Sequence, residues 1–257
     1  MAIRIERNGP RAGIVFDKPE KLNALTPEER GELAALFAQL QQDDTVRVVT
    51  LQGAGKAFCS GADVSRMGEN DLISARRRMQ TGVHPLIRNL CALEKPVIAG
   101  IRGAASGIGW GMALASDFVI ASETAKFSFV FVRRGLIPDA GSLYMLARHV
   151  GLFRAKEIVY TGRAVLADEA LALGLVSKVV ADDQLEAEVS KLADEMAKAP
   201  TRAIGFAKQL FDFAHHSSLD PFLSMEALIQ PQLNQSEDYR EGVASFREKR
   251  PPNFVGR

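Results

Sequence analysis

Two short apolar runs, each breaking into a turn of small residues, limit the folds open to this chain more than any other feature. The first, residues 46–51 (VRVVTL), reads as a buried strand. Gln52-Gly53-Ala54-Gly55 should break it, and KAFCSGADVSRM follows at residues 56–67. Cys59, Ser60, Gly61 and Ala62 are small enough to let the backbone come close to a ligand. The second run, residues 96–101 (PVIAGI), enters RGAASGIGWG, then a helix-like MALAS and a strand-like FVIA. A glycine turn between a strand and a helix leaves backbone N–H groups free to bind an oxyanion or a phosphate. Each turn alone reads equally as an ordinary strand-to-helix connection. Two parallel strands built this way can aim one amide each at the same point.

Composition narrows the partners. The 257 residues, 47% hydrophobic, suffice for one large domain or one domain with a small appendage. A formal net charge of +1 gives no global field favouring nucleic acid or an anionic membrane. Arg76-Arg77-Arg78 reads as a solvated helix face. The start, MAIRIERNG, is polar, and no apolar run is long enough to cross a bilayer, so a soluble cytoplasmic protein is expected. The two cysteines, Cys59 and Cys91, fit a reducing compartment. Cys59 has no histidine near it in sequence and is expected to be a packed thiol rather than a nucleophile. His215-His216 lacks companion ligands, so no metal site is expected.

In chain order, residues 3–6 and 12–16 predict a hairpin around Asn8-Gly9-Pro10. A polar loop, DKPEKLNA, leads to Thr26-Pro27-Glu28-Glu29, a strong helix start, with Leu33, Leu36, Phe37 and Leu40 on the buried face. Residues 68–93 form a polar, Arg-rich helical segment that Pro85 should kink or split, and a candidate lid over the first turn. FSFVFV at 127–132 reads as a strand or its tail, and GLIPDAGS opens a helix to about His149. Asp139 in that segment is either a helix cap or a functional carboxylate. From Gly151 the pattern is mostly helical, with one strand-like piece at 176–180. The expected organisation is a spiral α/β core over 1–200 and a helical region over 201–257.

FCSGADVSRM, GAASGIGWGMALASDFVIAS, FSFVFVRRGLIPDAGS and REGVASFREKRPPNF, in that order, resemble the crotonase superfamily of enoyl-CoA hydratases and isomerases. The resemblance covers essentially the whole chain. It implies an α/β fold of the ClpP/crotonase type, a spiral of ββα units with a helical carboxy-terminal trimerisation region. It also implies a homotrimer or a dimer of trimers, and an acyl-CoA thioester as substrate, with coenzyme A part of the substrate and no separate cofactor. Carried over, the amides of Ala62 and Ile108 hold the thioester oxygen. The two glutamates of the hydratases fall on Gly111 and Phe131, and neither can move a proton. GLIPDAGS resembles the isomerase branches, especially the 1,2-epoxyphenylacetyl-CoA isomerase type, which makes Asp139 the proton shuttle. Trp110, Phe129 and Phe131 would wall it with apolar surface and raise its pKa. By the same resemblance Lys21, Leu22 and Ala24 border the pantetheine and adenine, and Ser60, Ala62, Asp63 and Val64 line the adenine pocket. Phe246 and Lys249 would reach a CoA, here or on a neighbouring subunit. The implied activity is double-bond isomerisation, with hydration as runner-up and a non-catalytic binding protein as a third reading.

One competing pattern is set aside. Residues 103–109 (GAASGIG) also fit the glycine motif of short-chain dehydrogenases, but that motif normally opens the first βαβ unit. Those enzymes also need Tyr with Lys four positions on, and here Tyr144, Tyr160 and Tyr239 are followed at that offset by Arg148, Ala164 and Val243. RNA binding lacks a basic, aromatic-rich stripe.

Overall fold

The computed structural model describes residues 2–63 and 71–257. Its first two strands, β1 (Ile3–Asn8) and β2 (Arg11–Phe16), form the expected antiparallel hairpin. Alternation in β2 sends Ala12, Ile14 and Phe16 into the core. Strands β3 (Val48–Gly53), β4 (Val97–Ile101), β6 (Phe118–Ser122) and β9 (Lys178–Val180) then add in parallel, giving the order β1-β2-β3-β4-β6-β9. The consecutive buried residues of β3 (Val48 to Leu51) and of β4 suit strands covered on both faces. A smaller sheet holds β5 (Ala104–Ser106), β7 (Lys126–Ser128) and β8 (Ala164–Leu166) in the order β5-β7-β8.

The two sheets are two sides of one spiral. Each turn lays a strand in the large sheet and then one in the small sheet, as β4 leads to β5 and β6 to β7. After β3 the chain makes the same crossing, and Cys59 bridges Ala105 in parallel. Helix α4 (Ile108–Leu114) follows β5 and is buried along its whole length. Successive turns therefore stack equivalent corners above one another, which brings the two glycine turns together.

Helix α1 (Pro27–Gln42) starts as its sequence demands: Thr26 accepts from the Glu29 N–H, and the Glu29 carboxylate accepts from the Thr26 N–H. Leu33, Leu36, Phe37 and Leu40 are buried. Helix α2 (Leu72–Arg78) runs through one π turn (Met79–Val83) into α3 (His84–Cys91), with Pro85 in the first turn of α3. The expected break at Pro85 is not a split: the backbone stays helical from α2 into α3, and a single π turn just before the proline marks the interruption. Residues 68–70 of that segment lie outside the described residues.

Helices α5 (Ser142–Thr161), α6 (Ala167–Ala172) and α7 (Leu185–Ala197) complete the spiral, and α7 buries Leu185, Val189 and Ala193 against Val48, Ile98 and Ile120 of the large sheet. The chain ends with α8 (Thr201–Ala214), α9 (Leu219–Leu233) and α10 (Glu237–Glu248). The tail after α10 folds back: the buried Asp238 carboxylate accepts from the N–H groups of Val255 and Gly256 at 2.6 and 2.9 Å. Among the described residues, no helix is long and apolar enough to cross a membrane.

Three boundaries differ from expectation. β3 starts at Val48 and continues through Gln52 and Gly53, which still pair with Val15 and Phe16, so the break falls two residues later. The expected strand at 127–132 ends at Ser128, where the chain leaves the small sheet and closes a 3-10 turn (Val132–Arg134). The helical stretch from Ser142 breaks at the non-helical Gly151, just beyond the expected end at about His149, and a second helical stretch follows it to Thr161.

Candidate active site

Backbone pairing fixes the first glycine turn from both sides. On one side the N–H groups of Phe58 and Cys59 donate to the carbonyls of Arg102 and Ala104 at 2.8 and 3.0 Å, and the Ser106 N–H donates to Cys59 O at 2.9 Å. On the other side the Leu25 N–H donates to Gly61 O, and the Asp63 N–H to Leu25 O, both at 2.9 Å. Leu25 thus bridges Ala62 through the peptide groups flanking it, and the Ala62 N–H faces away. Ile108 is the first residue of α4, where an N–H has no partner within the helix. Among the described residues neither the Ala62 nor the Ile108 N–H is paired.

Two glycines allow the turns to touch. A Cβ on Gly109 would stand 2.3 Å from the Cys59 carbonyl oxygen, so α4 can lie against the first turn only without one. Gly61 has φ +112 and faces Ser106 O at a distance a side chain would crowd.

A chamber of about 650 Å³ opens between these turns. Ser60, Ala62 and Ile108 line it, together with Lys21, Ala24, Asp63, Phe131, Arg134, Leu136 and Asp139. Asp139 precedes α5 on the IPD loop but is not its cap. Gly141 holds the cap position, and Asp139 contributes its carbonyl, which accepts the Ser142 N–H at 3.0 Å. Asp139 Oδ1 is buried with no hydrogen-bond partner among the described residues. Burial pushes the Asp139 pKa above the ordinary carboxylate value, opposed by the charge of Arg30, its own backbone N–H and His84. Asp63, by contrast, lies 3.3 Å from the Lys21 ammonium.

Of the three aromatic residues expected around Asp139, only Phe131 reaches the chamber. Trp110 and Phe129 are buried behind it, stacked at 4.1 Å, because both point into the core from α4 and the end of β7. The Phe131 ring edge lies over Gly107, 3.5 Å from where a Cβ would stand, beside the turn that carries the Ile108 N–H. Gly111 is closed off differently. A side chain there would meet Ala140 Cβ at 2.8 Å and Ser142 Oγ at 3.2 Å, so the turn after Asp139 occupies its space. An aromatic ring and a tightly packed glycine thus stand at the two positions matched to hydratase glutamates.

The remaining expected residues divide. Lys21, Ala24, Ser60 and Asp63 are brought together with Ala62, Ile108 and Asp139. Leu22 does not line the chamber; its carbonyl instead accepts the Ser60 N–H at 3.0 Å and holds that residue in place. Val64 lies outside the described residues. Phe246 and Lys249 do not join the chamber within one chain. Phe246 is 86% exposed in a separate groove of about 550 Å³ among α8, α9 and α10, and Lys249 ends α10 with φ +54. Cys59 is the packed thiol expected, its pKa pushed up to about 12 by burial. Among the described residues, no group of three or more His, Cys, Asp or Glu side chains could hold a metal ion.

Two residues matter that the sequence reading passed over. Asn23, buried at φ +57, accepts from the Lys18 N–H through Oδ1 and donates to Ala54 O and Ala57 O. It fastens the loop carrying Lys21 and Ala24 to the first turn, and an asparagine inside a polar loop before a helix start was its only signal. Arg30, on α1, acts on Asp139 from outside the chamber, and nothing in TPEER marks it apart from other helix-surface residues.

Comparison with known proteins gives the same assignment throughout the chain. A profile of the enoyl-CoA hydratase/isomerase family matches residues 7–257. The chain is 36% identical over 247 residues to the 1,2-epoxyphenylacetyl-CoA isomerase of Escherichia coli, covering 95% of this chain and 94% of that one. It is 34% identical over 247 residues to the short-chain-enoyl-CoA hydratase of Clostridium acetobutylicum, covering 96% and 94%. The crystal structure of the enoyl-CoA hydratase of Bacillus anthracis superposes with a TM-score of 0.94 at 31% identity, covering 100% of both chains. With its spiral of two sheets and its two facing glycine turns, the chain therefore has the crotonase fold and belongs to the enoyl-CoA hydratase/isomerase family.

Proposed function

We propose that this protein is an acyl-CoA enzyme that stabilises a thioester enolate between the N–H groups of Ala62 and Ile108 and moves a double bond with Asp139 as its only proton carrier. An α-proton beside a thioester becomes removable once the enolate oxygen is held by preorganised donors, and each such donor lowers the barrier by about 3 kcal/mol. The unpaired Ala62 and Ile108 N–H groups on one chamber are the donors this requires. The observation that carries the proton step is Asp139: a buried carboxyl oxygen without a partner, in the same chamber, with its pKa raised by burial. A carboxylate so placed takes a proton from one carbon and returns it to another.

Water addition asks for more: one group to activate water and a second to protonate the α-carbon. Gly111 and Phe131 supply neither, and the Phe131 ring covers the floor beside the Ile108 turn. Hydration is kept as the second reading because two of the similar proteins above are hydratases by name. Lys21, Ser60 and Asp63 form the polar edge of the chamber and are assigned to the CoA portion. A panel of 3-enoyl-CoA, crotonyl-CoA and epoxy-CoA thioesters with product analysis tests the reading. Double-bond migration is expected to dominate, and hydroxyacyl-CoA formed at a matching rate would overturn it.

A further inference from the structure

Asp139 Oδ1 is buried without a hydrogen-bond partner among the described residues, so no bond at that oxygen fixes the carboxyl in place. Its orientation falls to the turn that carries it. Ala140 and Gly141, the next two residues, both lie in the left-handed region, at φ +54 and +68. Glycine tolerates that conformation, whereas alanine carries its methyl into it at a cost. Such a residue persists only where its surroundings hold it, and Ala140 is 1% exposed. The surface it packs on is Gly111 of α4. A Cβ at 111 would stand 2.8 Å from Ala140 Cβ, 3.2 Å from Ala140 O and 3.2 Å from Ser142 Oγ. The Ala140 methyl is thus seated in a notch that exists only because residue 111 has no side chain.

We propose that Gly111 and Ala140 are positioning residues of this active site: the methyl of Ala140, seated against the bare backbone of Gly111, sets where the Asp139 carboxyl points. The inference rests on the reading of Asp139 as the proton carrier. A carboxylate that takes a proton from one carbon and returns it to another must reach both, so its placement has little latitude. Matched to the hydratases, Gly111 is only a missing glutamate. The packing gives it a task of its own, since any side chain at 111, a glutamate included, needs the space this turn fills.

The two sides of the contact differ in freedom. Helix α4 is buried along its whole length, and the Gly107 N–H at its start donates to Ser128 O at 3.1 Å. Trp110 stacks on Phe129 at 4.1 Å, and Gly109 lies against the Cys59 carbonyl. On the other side, the exposed Leu136 and Ile137 lead into the turn from the surface. A methyl added at 111 therefore moves the turn rather than the helix. The separation from Ala140 Cβ must grow from 2.8 Å to the 3.4 Å at which ordinary contact begins, and Asp139 is bonded directly to Ala140. Misplacing a reacting group by about 1 Å costs about a hundredfold in rate.

The test is turnover of a 3-enoyl-CoA thioester, beside a thermal melt and a crystal structure, for Gly111→Ala, Ala140→Gly and the two combined. Gly111→Ala should lose about tenfold to a hundredfold in kcat with KM little changed. The combined variant moves the methyl from one side of the contact to the other, and should recover to within about threefold of the parent because contacting sites are coupled. A merely structural role would lower the melting temperature and leave kcat intact. In the crystal, the Asp139 carboxyl should be displaced in Gly111→Ala and back in place in the combined variant. Where Gly111→Ala does not fold, Ala140→Gly decides: freed of the left-handed alanine, it should melt close to the parent yet turn over more slowly. Parental kcat in folded Gly111→Ala or in Ala140→Gly overturns the proposal, as does a combined variant that regains the melt without kcat, or a carboxyl unmoved in Gly111→Ala. If Asp139→Asn kept full activity, the proton-carrier reading would fail, while the crystallographic displacement would still decide whether residue 111 places the carboxyl.

Discussion

Gly109→Ala isolates the contact between the two glycine turns. The added methyl would stand 2.3 Å from the Cys59 carbonyl oxygen, 2.9 Å from Cys59 Cβ and 3.1 Å from Cys59 C, whereas ordinary contact begins at 3.4 Å. The carbonyl cannot swing aside, because it accepts the Ser106 N–H at 2.9 Å and its neighbours are tied to Arg102 and Ala104. Relief therefore requires α4 to separate from the first turn by about 1 Å, against repulsion that rises steeply at this range. Overpacking of this kind costs about 1–3 kcal/mol, offset by about 1 kcal/mol from the better helix propensity of alanine. The melting temperature should fall by only a few degrees. Catalysis should suffer far more, since Ile108 precedes Gly109 and its N–H moves with the helix. Loss of one oxyanion donor costs roughly a hundredfold in kcat. The assay follows conjugation of a 3-enoyl-CoA by ultraviolet absorbance, beside a thermal melt. Gly31→Ala, on the exposed side of α1 with open space around it, is the control and should gain up to about 1 kcal/mol with unchanged turnover. A Gly109→Ala protein with parental kcat and parental stability would refute the claim that this contact sets the donor geometry.

Further outcomes follow from the same geometry. Ala62→Pro removes an N–H that the Leu25 bridge does not use, so the fold should survive while turnover falls by about a hundredfold; unchanged turnover in the folded variant contradicts the donor assignment. Because burial raises the Asp139 pKa above its unfolded value, its ionisation is unfavourable to the folded state, and the parent loses stability as pH rises from the unfolded value through the folded one. Asp139→Asn should therefore melt higher than the parent at neutral pH, and the two should converge below the ordinary aspartate range; a parent that gains stability on Asn through that window has the opposite sign. The trimer-based assembly expected from the family resemblance predicts three or six chains by light scattering, with the exposed Phe246 among the surfaces it would cover, and a monomer at micromolar concentration contradicts it.

The features legible in the sequence were those written into local backbone rules. The hairpin, the capped start of α1, the irregularity before Pro85 and the two glycine turns each rest on a few adjacent residues, and each stands where its residues predicted. Asp139 could be singled out as a carboxylate at a helix start whose segment, GLIPDAGS, resembles the isomerase branches, and Cys59 could be set aside because no histidine lies near it in sequence. What the sequence left dark depends on contacts across the fold. Trp110 and Phe129 read as chamber wall, but the direction of a side chain is decided by the twist of β7 and the packing of α4, and both turn inward. The influence of Arg30 on Asp139 joins α1 to the α5 turn and has no local signature. The placement of Phe246 in a groove away from the chamber reflects the fold of α8 to α10, which no spacing within α10 encodes.

The central claim, a single carboxylate carrying the proton, is tested most directly by the turnover of Asp139→Asn on a 3-enoyl-CoA thioester. The substitution keeps the size of the side chain and removes its capacity to accept a proton. Double-bond migration should fall by about a hundredfold or more, the range a positioned acid/base supplies, with thioester affinity and fold retained. Full activity in Asp139→Asn would contradict the account.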